Sequence, residues 1–482
     1  MIMPGSAPVQ ENYSKLTIDN FRSNIVGINS QVPVLSGTHL TYINFDNAAS
    51  TPSLVPVNQT IQDFLGWYSS VHRGSGYKSM ISTHAYEEAR TIVLSFLGGD
   101  HHKDTVIFLK NTTEAINKMA NRFVFKNRDI VITTKMEHHS DDLPWRKRAN
   151  VHYANLTPEG EIDLNHLEFL IEQFSQHLAL VAITGASNIT GYINPIHAIA
   201  EKVHQYGGKI LVDAAQLAPH RAIDMYPHSD PGHLDYVVLS AHKMYAPFGT
   251  GVLVGSKETF ESGDPDMVGG GTVDLVTFKE VRWTTVPEKE EAGSPNVIGA
   301  VALASSMLAL QQVGLENLAR HEARLTAYAL EKLIKIEGVR IFGNRFPEQS
   351  SQRLGVIPLN IEGISHYLAA AILSMEQGIG VRNGCFCAHP YILNLLDVPP
   401  ELVNQYQSEI KSGKKANLPG MIRVSFGGYN TLEEIDRLAA ALQMIVKREF
   451  KGHYQQDPES GAFFAEGFHP DPSRYFSLAN RG

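Results

Sequence analysis

From about Thr41 to Gly255 the chain alternates short apolar, β-branched runs with amphipathic stretches, and few folds accept that rhythm. The runs are "YINFD", "TVIFL", "DIVITT", "LALVAIT", "KILVDAA", "YVVLSA" and "TGVLVG". Between them lie "THAYEEARTIVLSFLGG", "TTEAINKMANRF", "DLNHLEFLIEQF" and "IHAIAEKVHQYGG", whose apolar residues recur at three and four, the period of a half-buried helix. Two of these end in Gly-Gly, a helix stop. The alternation predicts an α/β fold with a mostly parallel, doubly wound sheet. In such sheets ligands sit beyond the carboxyl ends of the strands.

Two longer helical stretches follow, "NVIGAVALASSMLALQQVG" and "LENLARHEARLTAYALEKLIKIEG". The second is expected to lead into a smaller α+β domain holding "LGVIPLNIEG" and "IRVSFGG". The expected division is an N-terminal segment 1–36, a large domain 37–310, a small C-terminal domain 311–450 and an irregular tail 451–482. "SEIKSGKKANLPG" (Ser408 to Gly420) reads as an exposed insertion. There is no internal repeat.

Composition serves to exclude. A net charge of −9 leaves no electrostatic footprint for nucleic acid or an anionic membrane surface. No apolar run approaches the roughly 18 residues of a membrane span. "MIMPGSAPVQENYSK" lacks the basic and apolar regions of a secretory signal. Two cysteines make no disulfide framework, and a reducing cytoplasm is the expected compartment.

Several strand ends carry polar residues that a plain core does not need. "ILVDAAQ" sets Asp213 and Gln216 just past a buried strand, and "VVLSAHKMYAPFGTG" does the same for Ser240, His242 and Lys243. Taken singly, a lysine in that position is more often a snorkelling surface residue. A buried lysine, however, can form a Schiff base with a carbonyl. A pyridoxal phosphate site needs such a lysine, a carboxylate for the ring nitrogen and a phosphate cradle. "NTTEAIN" (Asn111 to Asn117) offers hydroxyls and N–H groups at a helix start, as phosphate requires, and Thr112 and Thr113 are equally plain helix caps.

With those residues in view, the chain resembles the class V aminotransferase superfamily of pyridoxal phosphate (PLP) fold type I. Within it the chain is most similar to the cysteine desulfurase/selenocysteine lyase branch. The motifs that carry the resemblance are "YINFDNAASTP", "VHRG", "NTTEAIN", "MEHHSDDLPWR", "SNITGYINPI", "VDAAQLAPH", "SAHKMYAPFGTG", "EAGSPN", "RNGCFCAHP" and "IRVSFGGYNT", in that order over roughly residues 40 to 445. The resemblance implies that Lys243 carries the cofactor and that Asp213 pairs with its ring nitrogen. Gln216 would lie at its phenolic oxygen, Asn188 near that oxygen and the substrate, and His138 would stack on its ring. Ser240, His242, Thr112 and Thr113 would hold its phosphate. Ser294, where relatives often have threonine, would reach the phosphate of a neighbouring subunit, which implies a homodimer with shared active sites. Arg382 and Arg423 would bind the carboxylate of a small amino-acid substrate, suiting arginine's bidentate fork.

In the desulfurase branch the cysteine loop reads Arg-x-Gly-x-x-Cys-Ala, and "RNGCFCA" puts Cys387 at the nucleophile position. Cys385 falls where many relatives have histidine. Gly, Asn and Pro mark this stretch as a loop rather than core, and no second Cys/His pair at familiar spacing suggests a metal. A Cys-x-Cys disulfide would be a redox state rather than a staple. Cys387 is therefore expected to be the nucleophile, with Cys385 as its persulfide or disulfide partner. The implied reaction has Lys243 acting as base at Cα and Cys387 receiving sulfur from L-cysteine as a persulfide. Alanine leaves, and an acceptor protein or small thiol collects the sulfur. A C–S lyase, an aminotransferase and an epimerase share the same core without needing that thiol, and a scaffold that had lost its chemistry would share the fold.

Overall fold

The apolar runs do come together in one sheet. In the computed structural model, which describes residues 15–72 and 74–479, seven strands lie side by side: β1 (Asp104–Leu109), β2 (Ile130–Thr134), β3 (Asn150–Ala154), β4 (Leu178–Thr184), β5 (Lys209–Asp213), β6 (Tyr236–Ser240) and β7 (Gly251–Ser256). Their order is β1-β7-β6-β5-β4-β2-β3. All pairings from β3 across to β6 are parallel, and β7 runs antiparallel to β6 and β1. Every residue of β2, β4 and β6 is buried, because helices cover both faces, and two-sided burial is why these strands read as unbroken apolar runs. Edge strand β3 carries no such run; most of its residues are half-buried, and it escaped the sequence reading.

"YINFD" behaves differently from the other runs. Ile43–Asn44 pairs in parallel with Ile379–Gly380, and Asp46 bridges to Ser425. Ile43 and Phe45 pack into a second core with Leu325, Leu359 and Val424. The early run thus serves the C-terminal part of the chain.

Past β7, a hairpin of β8 (Val273–Val276) and β9 (Val281–Trp283) stands off the body, with Leu275, Val276, Phe278 and Val281 exposed. Well after helix α1 (Thr112–Arg122), helices α2 (Val297–Val313) and α3 (Leu315–Leu333) bend by 75° about Gly314, whose φ of 87° favours glycine. Among the described residues no single helix is long and apolar enough to cross a membrane. A second sheet comprises β10 (Val339–Ile341), β11 (Val356–Ile361), β12 (Arg382–Gly384) and β13 (Met421–Ser425), antiparallel in the order β10-β11-β13-β12. Helix α4 (His366–Gln377) packs on it.

The insertion and the tail both carry more structure than the sequence suggests. Residues 408–411 close an exposed helix, α5 (Pro400–Lys411). The rest of the insertion is pinned: Asn360 Nδ2 donates to Gly420 O (3.1 Å), and Gln456 Nε2 donates to Ala416 O (3.0 Å). The tail forms a hairpin, β14 (Tyr454–Gln456) with β15 (Phe463–Ala465), which lies against α4. Its pairing residues sit either side of a Gly-containing turn and lack the apolar alternation that would have announced them. Residues 1–14 of the expected N-terminal segment and 480–482 of the tail lie outside the described residues.

Candidate active site

The polar residues at the strand ends meet at the carboxyl edge of the large sheet. Asp213 ends β5 in register with Thr184 of β4. Ser240 ends β6, and one helical turn, Ala241–Lys243, then presents Lys243. Helix α1 starts just past β1, capped by Asn111, whose side chain accepts from Glu114 N (3.0 Å). Gly251 lets that helix start approach β7: a Cβ there would lie 2.6 Å from Asn111 Cα. Together with two arginines of the second sheet, these elements enclose a cavity of about 460 Å³. Thr112, Thr113, His138, Asn188, Asp213, Gln216, Ser240, His242, Lys243, Arg382, Cys387 and Arg423 all line it. Ser294 does not; it lines a separate cavity of about 530 Å³ with His72, Gly271 and Thr284.

Hydroxyls gather at the start of α1. Ser240 Oγ accepts from Thr112 N (2.9 Å) and lies 2.7 Å from Thr112 Oγ1, while Thr113 Oγ1 lies 2.7 Å from Ser140 Oγ. Such a cluster on a helix N-terminus suits a phosphate. Gln216 Nε2 donates to Ala48 O (2.7 Å).

Burial tunes the ionisable groups. It lowers the Lys243 ammonium to about 8; Asp213 resists that shift, Arg423 adds to it, and Cys387 opposes it. A lysine so placed is substantially neutral, and therefore nucleophilic, just above neutral pH. Burial raises the Asp213 carboxyl, against the Ala215 N–H that it accepts (2.9 Å) and the charge of Lys243. His138 falls to about 3, through burial and then Lys243. Its Nδ1 accepts from Ser140 N (3.1 Å), so the neutral ring carries its proton on Nε2. His242 falls to about 4 by burial and the charge of Lys243.

The opposite wall is built by arginines and the cysteine loop. Arg382 and Arg423 face each other across β12 and β13. Asp46 joins them, taking Arg423 Nη2 at 3.0 Å and Arg382 Nε at 3.1 Å. Arg423 is buried, lies over the Phe386 ring (4.9 Å) and donates to Asn188 O (3.1 Å), yet its Nε has no hydrogen-bond partner. Burial lowers it to about 10 despite Asp46. Asn188 Nδ2 donates to Phe386 O (2.9 Å). Phe386 and Cys387 hold φ of 50° and 56°, rare for residues with side chains, and Cys387 is exposed.

Cys385 lies half-buried on the same loop. It forms no disulfide, and its Sγ donates to Pro419 O (3.1 Å), away from Cys387. Burial and the neighbouring Cys387 push its thiol up to about 12, which keeps it protonated near neutral pH.

Five contributors escaped the sequence reading. Asp46 couples the arginines from some 377 positions away in the chain, and Ser140 links His138 to Thr113. Phe386 supports Arg423. Glu137 and Asp141 form a buried acidic pair behind His138, one oxygen of each lacking a partner; Thr134 donates to the first (2.6 Å) and Trp145 Nε1 to the second (2.9 Å). Burial raises both well above the carboxylate range, with the charge of Asp213 adding to each and that of Glu137 adding to Asp141. The signal for Ser140 and Asp141 was their place beside the "EHH" histidines; none existed for Asp46.

A family model described as aminotransferase class-V matches residues 43–438. The chain belongs to the class-V aminotransferase family. This class-V protein is 34% identical over 428 residues to a probable cysteine desulfurase of Halalkalibacterium halodurans, covering 87% of this chain and 96% of the relative. It is 31% identical over 414 residues to a cysteine desulfurase of Haloferax volcanii, covering 84% and 89%. The apo structure of a cysteine desulfurase from Thermococcus onnurineus matches with a TM-score of 0.76 at 30% identity, covering 89% of this chain and 98% of that one. The fold is PLP fold type I, and class-V enzymes depend on pyridoxal 5′-phosphate. The donor set fits that cofactor: an amine for its aldehyde, a carboxylate for its ring nitrogen, a neutral imidazole for its face and hydroxyls on a helix N-terminus for its phosphate.

Proposed function

We propose that this class-V protein is a PLP-dependent cysteine desulfurase that removes sulfur from L-cysteine, holds it as a persulfide on Cys387 and releases L-alanine. The observation that carries the reading is an exposed thiol, Cys387, on the wall of the cavity that holds Lys243. An aminotransferase or epimerase has no use for a thiol there.

Bound pyridoxal phosphate supplies an aldehyde carbon that joins to amines and a ring that takes up electrons released at Cα. Lys243 would be the residue that holds the cofactor's aldehyde carbon, and its neutral Nζ would serve as the base at Cα. Asp213 would pair with the ring nitrogen, and neutral His138 would lie against the ring. Thr112, Thr113, Ser240 and His242 would hold the phosphate, and Gln216 and Asn188 would serve the phenolic oxygen, Asn188 the substrate as well. The unpartnered Nε of Arg423, with Arg382, receives the substrate carboxylate. Cys387 Sγ then bonds to the substrate sulfur, whose bond to Cβ breaks and leaves its electron pair on the fragment released as alanine.

The reading includes a homodimer, with Ser294 reaching the neighbouring phosphate site; the apolar hairpin β8–β9 beside the Ser294 cavity supports it. It also includes an acceptor protein or small thiol for the sulfur, a reducing cytoplasm as compartment, and a division into large and small domains near residue 310, with Ile43–Asn44 assigned to the small one. Incubating the holoenzyme with L-cysteine, with Cys387→Ala alongside, tests the reading. Alanine that collapses in the variant is expected. Pyruvate and sulfide insensitive to the variant would mean a C–S lyase, and no turnover of cysteine an aminotransferase or epimerase.

A further inference from the structure

The loop that carries Cys387 is fastened to the large-sheet side of the cavity by Asn188, which donates to Phe386 O (2.9 Å), and, at Cys387 itself and just beyond it, by His139. The His139 N–H donates to Cys387 O (2.7 Å). Two residues further along the loop, the His389 N–H donates to His139 Nε2 (3.2 Å), and His389 Nδ1 lies 3.1 Å from the same nitrogen. The two rings stack, with centroids 4.9 Å apart and planes within 5°. Accepting a backbone N–H leaves Nε2 without a proton, so His139 is neutral with its proton on Nδ1, and His389 Nδ1–H is the second donor. Cys387 is thus bracketed by bonds to one imidazole residue, in a stretch whose left-handed backbone needs its surroundings to hold it.

We propose that His139 is the positioning residue for Cys387: its neutral imidazole latches the cysteine loop against the Lys243 cavity, and a proton on Nε2 opens the latch. A protonated Nε2 would oppose two donors with a third and add a cation beside His389. Burial holds His139 below its ordinary value, with His389 and Arg146 adding to that and Asp142 opposing. Lys147 lines the small cavity beside His139, His138 lies with its ring 6.3 Å away, and helix α1 presents only uncharged Thr113 and Asn117 there. With the folded value depressed, the latch is whole above the ordinary histidine value of about 6.5 and is lost as pH falls through the lower folded one.

The inference rests on Cys387 being the sulfur-carrying thiol. Alkylation, however, reads Sγ without turnover, so failure of the latch and failure of that reading are distinguishable. The test is the rate at which iodoacetamide modifies Cys387 in the holoenzyme, followed by mass spectrometry of the Cys387 peptide so that Cys385 does not contribute. Wild type, His139→Ala and His139→Gln are compared from about pH 8.5 to about pH 5. The variant-to-wild-type ratio cancels the ionisation of the thiol. For His139→Ala it is expected to be about tenfold at the upper end, as for loss of one or two net hydrogen bonds, and to fall toward one at the lower end. His139→Gln keeps an acceptor that does not titrate, so its ratio starts near one and drops below one as wild type unlatches. A ratio of one throughout for His139→Ala would overturn the latch, and a ratio flat with pH for either variant would overturn the role of the proton. Should His139→Ala not fold, the His139→Gln series decides alone.

Discussion

The two walls of the cavity are built on opposite principles. The sheet wall gathers Asp213, Ser240 and the start of α1 on buried strand ends, where backbone ladders fix every position, and its ionisable groups are all shifted by burial. The loop wall sets an exposed thiol on one of two successive left-handed residues, with a half-exposed arginine beside it, held by a few hydrogen bonds. Rigid burial suits a cofactor that stays in place. A thiol that must both reach substrate and hand sulfur onward needs exposure. The difference assigns chemistry to one wall and delivery to the other.

Damage to each wall should therefore leave different remnants. Lys243→Ala strikes the sheet wall at its centre: activity should drop by at least roughly 10⁴-fold, and borohydride should no longer fix cofactor to the chain. Cys387→Ser strikes the other wall: alanine formation should drop by roughly 10³-fold or more while the absorption of bound cofactor stays unchanged. A variant that lost both would erase the division between walls. Arg423→Ala should cost about 10- to 100-fold in kcat/KM, mostly through KM, and half-exposed Arg382→Ala less, because a screened charge contributes less. Equal losses would show that burial does not rank the two.

The sheet wall also makes two predictions about protons. Cofactor uptake by the apoprotein should speed up as pH rises, with a midpoint near 8, because only neutral Lys243 attacks an aldehyde; stopped-flow absorbance reads it. The smallest effect is on stability. Glu137 and Asp141 have raised folded values, so the stability they allow is present at low pH and lost as pH climbs through those values. Asp141→Asn should raise stability near pH 8 by on the order of 1 kcal/mol or more, an advantage that vanishes near pH 4 in denaturant titrations.

The sheet wall was also the more legible in sequence. Asp213, Ser240 and Lys243 follow directly on apolar runs, so their place at strand ends could be read from the runs themselves. The loop wall depends on contacts remote in sequence. Asp46 meets Arg423 only because Ile43–Asn44 joins the second sheet, and no local pattern announces that. Spacing places Cys385 and Cys387 near each other but cannot say that the Cys385 thiol turns to Pro419 O. Edge strand β3 and the tail hairpin escaped because half-exposed strands dilute the apolar period. Ser294 lines a different cavity from the rest, a separation that its motif does not announce.

The central claim is that sulfur rests on Cys387. One equivalent of L-cysteine mixed with the holoenzyme, quenched in acid and analysed by intact and peptide mass, tests it most directly. The account predicts one added sulfur atom on the Cys387 peptide for each alanine released. Alanine released with that peptide unmodified, or sulfur found on Cys385, would contradict it.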